Sequence, residues 1–268
     1  MTTDTPVAPP SLADLIRAGD WRRAAATASV QGESPELIDA LQILRSVQGE
    51  IRARRYPAAR QQLLAYQGVS RELAHPLAAE LRLYVHPDAV LEALNALEAA
   101  QKEPDAQVLA ERLAGALAQP LTRAEALNAQ GVLHAMLDDE VQARAALDAA
   151  RAADPGHYRA LTNLGNLELE AGRFAEAETI YREVIRLAPE YDGGHHNLGV
   201  AVRRQGRVAE GVRHIRQGQR LAMKRSREDT QAEVKEQFSR NPNLKYLRFA
   251  VLAVLALIVF LALRGAGS

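Results

Sequence analysis

YRALTNLGNLELEAGRFAEAETIYREVIRLAPEY, residues 158–191, sets the architecture of this chain, because its landmarks return on both sides at an interval of 34 residues. Leu164-Gly165 returns as Leu198-Gly199, Gly172 as Gly206 and Asn163 as Asn197. In the other direction Gly131 precedes Gly165, Ala143 precedes Ala177 and Pro155 precedes Pro189. A fixed period in register marks stacked supersecondary units, each too small to bury its apolar face alone.

Within the unit the residue types explain a helix-turn-helix. Gly165 in the first helix and Ala177 in the second let two antiparallel backbones approach, and Leu164, Phe174 and Tyr181 fill the remaining space. Gly172 suits a left-handed turn between them. Pro189 stops the second helix, since proline cannot continue the hydrogen-bond ladder.

With Leu161 and Val184, these landmarks resemble the tetratricopeptide (TPR) repeat. The resemblance implies three units, 124–157, 158–191 and 192–225, in an all-α, TPR-type helical-hairpin superhelix (an α-solenoid). It implies a protein or peptide as partner without naming one. The third unit departs from the pattern, with Gly211 and Gly218 where alanine is usual. Each glycine costs about 1 kcal/mol against alanine inside a helix, so its second helix is expected to be the softest part of the array.

In this family the first helix of each unit lines a concave groove. The resemblance therefore places Asn128, Val132 and Ala135, then Thr162, Asn166 and Leu169, then His196, Val200 and Arg203 toward a ligand, with Asn163 and Asn197 close by. Asn166 is the candidate for holding a peptide backbone, because an amide both donates and accepts. The alternative is that these asparagines bond across neighbouring helices. Asn166 and Asn197 match two places of the carboxylate clamp of chaperone-binding members. Thr162 stands where that clamp needs its first lysine, so the clamp is not carried over.

Composition narrows the remaining classes. The 268 residues have a formal net charge of zero and no cysteine, which excludes a disulfide framework and thiol-ligated metal. No phosphate loop, His-Glu-x-x-His, nucleophile elbow or dinucleotide fingerprint occurs, so nothing points to an enzyme or a cofactor. His195 and His196 would diverge by about 100° on a helix, and no metal is expected there. Few aromatics accompany the basic residues, which argues against nucleic acid as a partner.

Upstream, residues 1–10 are polar and proline-rich and are expected to be disordered. Gly19 to Ala28, with Trp21 and Ala24, resembles a second TPR helix, and Tyr56, Ala59 and Leu63 echo Trp21, Ala24 and Ala28 35 residues later. Ser34-Pro35 opens a helix through Leu44. Further helices are expected over 71–83, with Ser70 ahead of it, 88–101 and 105–118. Residues 11–119 read as degenerate hairpins extending the superhelix, or as an unrelated bundle. Thr122 and Glu125 have capping-box spacing, starting the next helix near Leu121 to Arg123.

Downstream, charge changes along the array: the units carry −4, −2 and +6, counting Asp and Glu against Lys and Arg. Arg213, Arg216, Arg220, Lys224 and Arg227 fall within about 80° of one another on a helix, with Val208, Val212 and Ile215 opposite as its buried side. The stripe is a solvated face, or it meets anionic lipid if the following chain folds back. Residues 227–245 form a polar linker with a charged helix through Ala232 and Phe238 and a break at Asn241-Pro242-Asn243. Phe249 to Leu263 carries no polar side chain, and 246–263 is expected to cross a membrane, leaving the tail 264–268. A buried core helix is the other reading. Arg240, Lys245 and Arg248 against Arg264 place the repeats in the cytoplasm. The expectation is a tail-anchored scaffold, or else an assembly or quality-control factor for membrane complexes that contacts other spans through its anchor.

Overall fold

A computed structural model describes residues 9–240, with side chains described as far as Arg227. The expected membrane span 246–263, its tail, the Asn241-Pro242-Asn243 break and most of the expected disordered start lie outside the described residues. Among the described residues no helix is long and apolar enough to cross a membrane.

The regular elements among the described residues are all helices. In chain order they form α1 (Leu12–Arg17), α2 (Trp21–Gln31), α3 (Pro35–Arg52), α4 (Tyr56–Glu72), α5 (Ala78–Tyr84), α6 (Pro87–Ala99) and α7 (Ala106–Ala118). There follow α8 (Pro120–Met136), α9 (Glu140–Ala153), α10 (Tyr158–Glu170), α11 (Phe174–Leu187), α12 (Asp192–Arg204) and α13 (Val208–Arg240). The three repeat units are the hairpins α8–α9, α10–α11 and α12–α13.

One turn geometry recurs along the chain. α2, α4, α9, α11 and α13 each start two residues after a left-handed residue: Gly19, Arg54, Asp138, Gly172 and Gly206, with φ between 58° and 86°. The amide that follows donates five residues back, as Asp20 to Leu15, Arg55 to Glu50, Asp139 to His134, Arg173 to Glu168 and Arg207 to Val202. This is the Schellman arrangement, which satisfies otherwise orphaned helix-end carbonyls. The echo between Trp21 and Tyr56 thus reflects two hairpins built like the repeats, with both rings buried. Residues 73–119 contain no left-handed residue and connect differently.

Two local expectations there fail. Ser70 does not open a helix; α4 runs through it to Glu72, and its hydroxyl donates to the Gln67 carbonyl. The next helix begins only at Ala78, and Arg82 reaches back from it to the carbonyls of Ser70 and Leu73 at 2.9 and 3.3 Å. Nor do Thr122 and Glu125 form a capping box. The Thr122 hydroxyl donates to the Ala116 carbonyl at 2.8 Å, and the helix starts earlier, at Pro120.

The apolar core of α1 to α7 is continuous with Leu121, Ala126 and Leu133 of α8. α3 lies directly against α8 in addition to α4. The α3–α4 turn is consequently ion-paired to the repeats: Arg52 takes Asp154 in a two-pronged contact at 2.5 and 2.6 Å, and Arg54 takes Glu125 at 2.6 Å.

Inside each repeat a glycine of the first helix faces the residue sixteen positions later. A Cβ at Gly131 would stand 2.6 Å from Leu147, one at Gly165 2.6 Å from Tyr181, and one at Gly199 2.7 Å from Ile215. The third unit goes further, because Gly211 and Gly218 are buried against α12, where a Cβ would stand 2.6 Å from the Gly199 carbonyl and 2.8 Å from that of Asp192. Their reading as soft points is corrected: they are where two helix backbones touch. α13 also runs unbroken to Arg240, so the second repeat helix and the charged helix beyond it are one element and nothing folds back within it. Val208, expected on the buried side, is 56% exposed, while Val212 and Ile215 are half-buried.

Candidate peptide-binding surface

A line of amides crosses the first helices of the repeats. The Asn163 Nδ2 of α10 donates to the Asn128 Oδ1 of α8 at 2.8 Å. One turn on, Asn166 Oδ1 accepts from Asn197 Nδ2 of α12 at 2.9 Å and from the Tyr181 hydroxyl of α11 at 2.7 Å. Asn166 Nδ2 has only a long contact, 3.5 Å, to Asn163 Oδ1. The amides therefore do bond across neighbouring helices, and Asn166 has its acceptor fully used while its donor is nearly idle. Burial pushes the Tyr181 hydroxyl well above the usual phenol range, so it stays protonated and donating.

The line ends in a buried charged cluster. Asn128 Nδ2 lies 3.3 Å from Glu125 Oε2, and the same carboxylate receives Arg54 at 2.6 Å and His157 Nε2 at 3.0 Å. His157 Nδ1 accepts from the Ala160 amide as the N-cap of α10, which leaves the proton on Nε2, 3.0 Å from Glu125 but outside hydrogen-bond geometry. Burial alone would raise the Glu125 carboxyl; the adjacent His157 and the Arg54 charge outweigh it and hold the carboxyl below its ordinary range.

The groove positions separate by burial and by the depression they line. Asn128 is fully buried and Thr162 is 4% exposed, with its hydroxyl donating to the Tyr158 carbonyl at 2.7 Å. Both are corrected: neither side chain faces an open groove. Val132, Ala135, Asn163 and Asn166 line one depression of about 260 Å³, floored by Leu147 and Leu167. Leu169 and Val200 line a second, of about 370 Å³, with Phe174 and Arg204. Asn197 is half-buried in the amide line, while His196 and Arg203 are exposed. The stripe residues Arg213, Arg216, Arg220, Lys224 and Arg227 are all exposed, with Lys224 paired to Glu190 at 2.8 Å.

Ionic clamps join successive repeats on the outside. Glu168 of α10 is held by Arg144 of α9 at 2.7 Å and by Arg173. One unit on, Glu178 of α11 is gripped by Arg182 at 2.7 Å, by Gln205 at 2.8 Å and by Arg207, the counterpart of Arg173. Burial opposes ionisation of Glu178, but the Arg207, Arg182 and Gln205 hydrogen bonds pull its pKa down to about 2. None of these residues stood out in the sequence, because each clamp is closed by side chains from different units.

The tetratricopeptide repeat family matches residues 141–192 and 163–224. No curated protein matches the chain. Among solved structures, MamA AMB-1 in a P212121 crystal is 18% identical, covering 67% of this chain and 96% of that one with a TM-score of 0.38. Another crystal structure of MamA protein is 16% identical, covering 70% and 94% with a TM-score of 0.39. The repeat matches and the interval of 34 residues agree over residues 141–224, and this stretch of the chain is similar to the tetratricopeptide repeat family.

Proposed function

We propose that the chain is a protein-binding scaffold that holds an extended peptide in the depression lined by Val132, Ala135, Asn163 and Asn166. The observation that carries this is the underused donor of Asn166: its Oδ1 is saturated by Tyr181 and Asn197, its Nδ2 has only the 3.5 Å contact to Asn163, and the residue lines the depression. The amide would thus donate to a peptide carbonyl and not accept from a peptide N–H, which narrows the sequence expectation. Asn166→Asp tests it, because the carboxylate keeps the acceptor for Tyr181 and Asn197 and loses the donor. A photo-crosslinking residue at Val132 in the full chain should capture a protein partner. Asn166→Asp should weaken that capture by the worth of one hydrogen bond, about 0.5 to 1.5 kcal/mol, at unchanged melting temperature. Undiminished capture overturns the assignment.

Anchoring is the second part of the proposal. Phe249 to Leu263 is apolar throughout, with Lys245 and Arg248 before it, which supports a single span with the repeats on the cytoplasmic side. Confinement to a surface would raise the effective concentration of a modest-affinity partner without further contacts. The exposed stripe of α13 would add contacts to anionic headgroups, each worth about 1 kcal/mol at low salt, only if the chain turns back beyond Arg240 and lays this unbroken helix along the surface. Carbonate extraction is decisive: release of the full chain into the soluble fraction ends the membrane reading.

A further inference from the structure

Arg159 faces a different cavity, one that shares no residue with the concave depressions. This cleft, of about 520 Å³, lies among the α3–α4 turn, the start of α10, the α11–α12 loop and α13. Its walls carry Arg55, Arg159, Lys224 and Arg225 against a single carboxylate, Glu190. Three of those cations reach acids: Arg55 to Glu50 at 2.5 Å, Lys224 to Glu190 at 2.8 Å and Arg225 to Asp192 at 2.5 Å. Arg159 instead stands 5.4 Å over the ring of Tyr191 and beside the Tyr158 hydroxyl, a neutral partner, while its Nε is buried with no hydrogen-bond partner among the described residues. Tyr158 and Tyr191, with ring centroids 4.8 Å apart, form an aromatic wall beside it.

Arg159 lines the cleft without an acidic partner, and the terminal nitrogens of a guanidinium suit a planar carboxylate. The cavity is far larger than a lone oxyanion fills, and the tyrosine wall favours a ligand with an apolar part next to its charge. We infer that this cleft is a second binding site, for an acidic polypeptide segment in which a carboxylate meets Arg159 and a neighbouring apolar side chain lies on Tyr158 and Tyr191. The inference rests on the protein-binding reading but not on the concave depression, since three of its four walls come from outside the first helices of the repeats. The surplus of cations would also speed the encounter with an acidic segment at low salt.

The test uses the full chain in detergent and a fluorescein-labelled hexapeptide of alternating glutamate and leucine, read by fluorescence anisotropy. The peptide should bind, and a glutamine-leucine peptide of the same length should bind at least tenfold more weakly. Arg159→Gln and Tyr191→Ala should each lower affinity for the acidic peptide at least fivefold, while Asn166→Asp leaves it unchanged. Two substitutions on different elements guard against one that merely unfolds, which circular dichroism checks. Inorganic phosphate should compete only weakly; complete displacement by phosphate at equal strength would make this a simple anion site and overturn the inference. So would absent binding, binding by both variants as tight as the parent's, or loss through Asn166→Asp alone, which would return the peptide to the concave depression.

Discussion

The backbones of Gly199 and Gly211 touch: a Cβ on either would stand 2.6 Å from the carbonyl oxygen of the other. Helix propensity predicts that Gly211→Ala gains about 1 kcal/mol. The contact reverses the sign, because an added methyl must force α12 and α13 apart, and overpacking of this kind costs about 1 to 3 kcal/mol. Gly115 has nothing within 4 Å of its Cβ position and lies inside α7, so Gly115→Ala should stabilise. Thermal denaturation of the two variants checks the pair; stabilisation by Gly211→Ala would show that the helices do not meet there.

Tyr181 depends on Asn166 for the partner of its buried hydroxyl. Asn166→Ala removes the acceptor and should destabilise by about 1 to 3 kcal/mol, the range for a buried polar group left unsatisfied. Tyr181→Phe in the same background should recover part of the loss. Urea unfolding of the single and double variants measures the coupling, and strict additivity would mean that the hydrogen bond carries no weight.

Glu125 is 1% exposed and depends on Arg54 and His157 for compensation. Arg54→Ala should therefore cost about 3 to 5 kcal/mol, as when one partner of a buried pair is removed. Arg54→Gly loses the same ion pair but suits the left-handed backbone, at φ 58°, better than alanine does. It should melt above Arg54→Ala and below the parent. A reversed order would show that the turn, unlike the pair, is not under strain.

Glu178 sets an acid-side expectation. Its folded pKa is depressed, so the stability it contributes is fully present above the ordinary glutamate value, and is lost as pH falls from there toward about 2. Melting temperature should stay level from neutral pH to about 5 and decline below about 4.5. Glu178→Gln should flatten part of that decline. An identical acid profile in the variant would remove the clamp from the account.

Legibility in the sequence followed the range of the interactions. The units, their turns at Gly172 and Gly206 and their proline stops were readable because one residue type at a fixed interval does each job locally. Asp138 takes the same left-handed turn without a glycine, so the first unit showed less of its pattern. The amide line was half readable: the intervals from Asn128 to Asn163 to Asn197 were visible, but which atoms were left idle depends on Tyr181 from another helix. The Glu125 cluster was hidden, since Arg54 is 71 residues away and the local pattern around Thr122 and Glu125 imitates a cap. Gly211 and Gly218 misled for the same reason: propensity describes one helix, and their role is set by the surface of its neighbour.

The uninterrupted course of α13 turns the third repeat into an arm. Its 33 residues span about 50 Å at 1.5 Å per residue. The hairpin grips it as far as Arg225 through Asp192. Whatever is joined beyond Arg240 is thus geared to the repeats by length and phase together. Each residue added or removed between 228 and 240 would turn the array by about 100° about the arm while moving it only about 1.5 Å. The direction in which the concave face looks is therefore written in a residue count.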